Sequence, residues 1–142
     1  MKKIFLTIAL TLFMLKLFSQ VNYDKRLLTI YKKETLDKYM KSQPGIIRWQ
    51  NFKVANMYKY IKLSEIKDVS KLDTLKIIDR KSKTVLNKKI SLPDEKGFNP
   101  YLYNIQWKGK EDTYYLVSDT NIIVKIFSRA YVISEYNKTL KK

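Results

Sequence analysis

The 142 residues carry 29 Lys+Arg against 13 Asp+Glu, a formal net charge of +16, and include neither histidine nor cysteine. Those two absences exclude Ser–His and Cys–His nucleophilic catalysis, zinc sites of His or Cys type, and every disulfide. With 45% hydrophobic and 13% aromatic residues, the chain has enough apolar material for a core, which argues against disorder.

In chain order, the first feature is a leader. Met1-Lys2-Lys3 precedes Ile4–Leu15, a run in which only Thr7 and Thr11 are polar, and Lys16, Ser19 and Gln20 follow. A charged start, a short apolar run and a small exit residue are the three parts of a secretory signal. Lys16 cuts the run well short of the roughly 20 residues a spanning helix needs. Residues 1–19 are therefore expected to be a cleaved signal, with Gln20 the first mature residue. With no cysteine to acylate, no lipid anchor is expected, and contact with the membrane is transient and through the leader only. The leader resembles those of small exported bacterial proteins, so the expected location is periplasmic or secreted.

The mature portion, 20–142, is long enough for one domain and too short for two. Losing Lys2, Lys3 and Lys16 leaves 26 basic against 13 acidic residues, a net charge of +13. Such a field attracts polyanions. Only four of the bases are arginine (Arg26, Arg48, Arg80, Arg129), and the chain is rich in Lys, Asn, Ile and Tyr. A solvated lysine surface set by codon usage is the competing explanation, because recognition of phosphate favours the bidentate arginine fork.

Residues 22–42 read as helix, with Asn22 or Asp24 as cap and a drifting apolar arc that allows a break at Lys33-Glu34-Thr35; Ser42-Gln43-Pro44-Gly45 should end it. Ile46–Phe52 and Val54–Leu63 read as strands from their aromatic and β-branched content, although Val54–Tyr60 also fits a helical turn. Thr74–Asp79 and Thr84–Ile90 flank a polar connection, Arg80–Lys83, and predict a hairpin. Tyr101, Tyr103, Ile105 and Trp107 alternate with smaller or polar residues, which predicts a strand. Thr113–Ser118 and Ile122–Phe127 predict two more, joined by Asp119-Thr120-Asn121. Ser128 can cap a closing helix carrying Val132, Tyr136 and Leu140. The expected architecture is α+β: an N-terminal helix, an antiparallel meander of about five strands, and a short C-terminal helix.

Few residues suggest chemistry. Gly45, Gly97 and Gly109 lie in separate turns, so no phosphate-cradling loop exists, and no cofactor or metal is expected. The adjacent acids Asp94-Glu95 and Glu111-Asp112 sit in turns beside lysine, where turn chemistry accounts for them. A carboxylate-dependent hydrolase would have to gather distant acids such as Asp73, Asp79, Asp119 and Glu135. The positive signal is lysine mixed with aromatics. Tyr58-Lys59-Tyr60-Ile61-Lys62 interleaves the two, and Lys81, Lys83, Lys88 and Lys89 crowd the hairpin that also carries Lys76 and Arg80. Binders of single-stranded nucleic acid and glycans use such mixtures; tyrosines packed inward with lysines guarding strand edges give the same pattern. The expectation is a non-enzymatic module for an acidic partner, with Lys81, Lys83, Lys88, Lys89, Lys59 and Lys62 as the candidate binding residues. The alternatives are an inhibitor-like protein–protein module with an exposed aromatic patch, and the small hydrolase.

Overall fold

The computed structural model describes residues 22–86 and 88–141; the expected leader, 1–19, lies outside them. Among the described residues the fold is mixed α+β, with three α-helices, two sheets and a helix at the C-terminal end. No helix among them is long and apolar enough to cross a membrane.

The N-terminal segment forms two pieces rather than one helix. Asp24 caps a 3-10 turn, Lys25–Thr29, by accepting from the Arg26 amide at 2.9 Å. Helix α1, Lys33–Ser42, follows. The break falls at Ile30–Lys32, just before the expected one, and packing requires it. Leu27 and Leu36 are both fully buried in one cluster. In a continuous helix at about 100° per residue they would lie half a turn out of phase, on opposite sides.

The first helical stretch ends at Ser42-Gln43 as expected, but Pro44 and Gly45 at once open a second helix, α2, Pro44–Asn56, with Pro44 in the first turn. The strand expected at Ile46–Phe52 is thus replaced by helix. Proline suits that position because the missing amide would have had no helical partner. Ile47 and Val54, two turns apart, complete the small core begun by Leu27 and Leu36. From another side of α2, Trp49 and Phe52 pack against the larger core.

The main sheet runs in the order β1 (Tyr58–Lys62), β6 (Ile122–Ile126), β5 (Thr113–Leu116), β2 (Leu72–Thr74). β6 pairs antiparallel with both β1 and β5, but β2 pairs parallel to β5. The topology is therefore not a pure meander. The β5–β6 hairpin turns through Asp119 at φ 62°, a left-handed conformation that aspartate tolerates. The expected 74–90 hairpin forms a separate two-stranded sheet, β3 (Ile77–Asp79) with β4 (Thr84–Leu86).

The Tyr101–Trp107 strand does not form. Pro100–Leu102 is a 3-10 turn, and beyond it the one isolated bridge among the described residues joins Ile77 to Tyr103. Side chains supply the missing ladder: the Tyr115 hydroxyl accepts from the Gln106 amide at 2.7 Å, and the Asn104 carboxamide oxygen accepts from the Lys76 amide at 2.8 Å. The alternation still governs facing. Tyr103, Ile105 and Trp107 join the larger core, whose centre is Phe98, stacked on Tyr103 with centroids 4.9 Å apart. Tyr101 joins the smaller core, so this segment spans both. Helix α3, Arg129–Thr139, is capped by Ser128 as expected and buries Val132.

Candidate functional site

The lysines singled out in the sequence do not form one cluster. Lys81 and Lys83 occupy the turn at the tip of the β3–β4 hairpin, where Lys83 adopts φ 56°. Lys88 and Lys89 follow β4 at the opposite end, about 10 Å away for three-residue strands. There they join Lys76 around a groove of about 450 Å³, floored by Leu75, Leu86 and Ile90 and bordered by Ser118 and Asp119. Asp119 is the one acid on this wall. Among the described residues, none of Lys76, Lys81, Lys83, Lys88 and Lys89 is ion-paired.

Lys59 and Lys62 lie on β1, at the far edge of the main sheet from β2. Three residues apart on a strand, they project from opposite faces. Tyr58 and Tyr60 pack inward beside Phe98, so this run offers no stacking platform. The Tyr58 hydroxyl donates to the Glu95 carbonyl at 2.6 Å. Lys59 is cross-strand partner to Lys125. Lys125 is tied to Asp112 at 2.8 Å; burial pulls its pKa down, and the Asp112 hydrogen bond and charge more than restore it.

A second cationic feature has no counterpart among the sequence expectations. Lys53 Nζ, on α2, lies 5.5 Å from the Tyr101 ring centroid and 5.4 Å from that of Trp107. The Arg80 guanidinium sits 5.4 Å from the Tyr101 centroid and the Arg129 guanidinium 5.1 Å from that of Trp107. Three cations and two rings thus alternate in the order Arg80, Tyr101, Lys53, Trp107, Arg129. Trp49 stacks on Trp107 at 6.5 Å, and the Trp107 indole donates to the Phe127 carbonyl at 3.0 Å, fixing the ring between α2 and α3. Arg80 donates its Nε–H to the Tyr101 carbonyl. Among the described residues no carboxylate lies within salt-bridge distance of Arg80, Lys53 or Arg129, and the Lys53 ammonium and Arg129 guanidinium have no hydrogen-bond acceptor. Burial, and secondarily the charge of Arg129, pushes the Lys53 pKa down. The Tyr101 hydroxyl is buried without a hydrogen-bond partner among these residues, and burial raises its pKa. The five residues come from four segments between positions 53 and 129, with Tyr101 and Trp107 supplied by one stretch, so no local motif announces them.

The acids scatter. Asp79 accepts from the Lys81 amide in its own turn, and Glu135 pairs with Lys138 at 2.6 Å. Asp73 is exposed on the edge strand β2 and Asp119 sits in the β5–β6 turn. No principal cavity of the described residues joins two carboxylates, and no cluster of three metal-binding side chains occurs among them.

Comparison by sequence and by structure matched no protein family, curated protein or solved structure. Function must be read from this geometry alone.

Proposed function

We propose that this protein is an exported, non-enzymatic binding module whose partner is acidic, a polyanion or an acidic protein surface, held at the groove beside the β3–β4 hairpin. The observation that carries the reading is the trio Lys76, Lys88 and Lys89 around an open apolar-floored groove with a single acid on its wall. Charge of one sign lining a concavity raises the local concentration of oppositely charged groups. The hairpin tip, with Lys81 and Lys83, extends the field for a partner longer than the groove. Retention of the purified protein on an anionic matrix tests this. Elution should shift to lower salt when Lys88 and Lys89 become Glu, and further when Lys81→Glu and Lys83→Asn are added; asparagine is chosen because position 83 needs a left-handed residue. Unchanged elution in both variants would refute the reading.

A specific observation favours the inhibitor-like alternative. A cavity of about 410 Å³ between α2 and α3 is lined by Phe52, Phe127 and Tyr131. Tyr131 stacks on Phe127 at 4.7 Å while remaining 45% exposed, the disposition of an aromatic anchor at an interface. Recovery of one stoichiometric protein partner, lost on Tyr131→Ala and retained on Lys88→Glu, would decide for it.

A further inference from the structure

We infer that the outer edge of β4 takes up an extended acidic peptide segment as an added strand, with Lys81 and Lys83 at one end of it and Lys88 and Lys89 at the other. The inference rests on the reading of the adjoining groove as an acidic-partner site, and it gives that partner a form.

A strand with a neighbour on one side only presents unpaired amides and carbonyls on the other, and folded proteins cover such edges. Three of the four outer strand sides are covered here. On β1, the outward amides of Tyr60 and Lys62 donate to the Glu95 and Glu65 carboxylates, each at 2.8 Å. Beside β2, the Asn104 carboxamide donates to the Thr74 carbonyl at 3.2 Å and accepts from the Lys76 amide at 2.8 Å. The outer side of β3 carries the bridge from Ile77 to Tyr103. β4 is the exception. Among the described residues no side chain hydrogen-bonds its backbone, and Thr84 and Val85 are exposed, Val85 at 53%.

The groups left open can be named. The Lys76 amide and carbonyl both face Asn104, the carbonyl accepting from the Asn104 amide at 2.9 Å. Alternation then turns the backbone groups of Ile77 and Asp79 toward β4 and those of their partners Leu86 and Thr84 toward β3. The Val85 amide and carbonyl therefore point outward. The four-residue turn Arg80–Lys83, left-handed at Lys83, agrees, because it closes on Asp79 and Thr84 as a hydrogen-bonded pair. An added strand would gain two ladder hydrogen bonds at Val85 and an apolar contact with its side chain.

Charge selects the occupant. An extended segment lying along β4 meets lysines at both ends, so acids flanking a small apolar centre complement it. A second copy of β4 would bring its own four lysines against these and is repelled, the usual service of lysine on an edge. Nucleic acid gains less, because the adjoining groove has no aromatic side chain in its lining on which a base could stack.

The probe is a capped seven-residue peptide with two glutamates on each side of a Thr-Val-Thr centre, titrated into the purified protein at low ionic strength. Saturable binding with a Kd of about 0.1 mM or tighter is expected, weakening as salt rises. Replacing single peptide amides by esters deletes one donor at a time. Of two adjacent central amides, one faces β4 and the other faces away, so one ester should weaken binding about tenfold and the other less than about twofold. Val85→Pro removes the outward amide and leaves the pairing with β3 intact. It should weaken peptide binding about tenfold while leaving elution from an anionic matrix unchanged. Equal losses from the two esters, or peptide binding by Val85→Pro at native strength, overturns strand addition. Should Val85→Pro fail to fold, the ester pair decides by itself. A protein that ignores the peptide yet is still retained on the matrix through Lys88 and Lys89 also overturns the inference, and leaves a polyanion as the partner of the groove. Failure of that retention as well would remove the groove reading and this inference together.

Discussion

The Nη1 of Arg26 donates to the hydroxyl of Tyr58 at 2.8 Å, and this one bond ties the N-terminal 3-10 turn to the first strand of the sheet. The same nitrogen donates to the Phe98 carbonyl at 2.9 Å, while Nε and Nη2 hold both oxygens of Asp24. One guanidinium therefore joins the small helical core to the large sheet core. Arg26→Ala should cost about 2–3 kcal/mol, as expected for several charge-assisted bonds lost together. Tyr58→Phe should cost about 1 kcal/mol. Because both act through one bond, the double variant should be less destabilised than the two single losses added, which a chemical-denaturation cycle would measure.

Acid should weaken the same junction. The Arg26 side chain holds the Asp24 carboxyl below its usual value of 3.8. A carboxylate with a depressed folded pKa contributes stability that is complete above its unfolded value and is lost as pH falls through the folded one. Melting temperature should thus decline more steeply below pH 3.8 in the native protein than in Asp24→Asn, the difference between them closing as pH falls.

Tyr101 presents the opposite case. Its hydroxyl is buried without a partner among the described residues, so removing it removes a desolvation cost. Tyr101→Phe should raise stability by about 1 kcal/mol; a loss of that size would show that the hydroxyl is satisfied.

Lys53 should behave similarly. Lys53→Met keeps the stem on the Trp107 and Tyr101 rings and deletes a half-buried ammonium repelled by Arg129. The expected shift is an increase in Tm of about 3 °C. A fall instead would mean that the ring contacts outweigh burial.

Phe98 is the most sensitive apolar position. It is fully buried, and Tyr58, Tyr60 and Tyr103 surround it with centroids 4.8, 5.7 and 4.9 Å away. Phe98→Ala should cost about 3–5 kcal/mol, and Phe98→Leu much less, readable from denaturation midpoints.

Legibility in the sequence followed how local the deciding physics was. The β3–β4 and β5–β6 hairpins and the Ser128-capped helix were visible because turn residues and caps act within a few positions. Helix α2 was missed because Ile46, Ile47, Trp49, Phe52 and Val54 have strand-like composition, although Ile47 and Val54 stand two helical turns apart and Pro44 suits a first turn. The parallel placement of β2 and the division of residues 98–107 between two cores depend on partners far along the chain. The hairpin lysines were legible as a group, yet strand length separates tip from base. The Lys53–Trp107–Arg129 arrangement exists only after α2, the segment ending at Trp107, and α3 have met.

Strand β6 lies between β1 and β5, and its residues 123–126 are the register partners of both. A growing chain that has reached only position 121 can pair β2 with β5 but leaves β1 with no partner, so the four-stranded sheet is completed only when β6 is inserted between β1 and β5. Insertion of this one strand therefore joins two otherwise separate parts of the molecule, β1 with the helical N-terminal half and the β2–β5 pair.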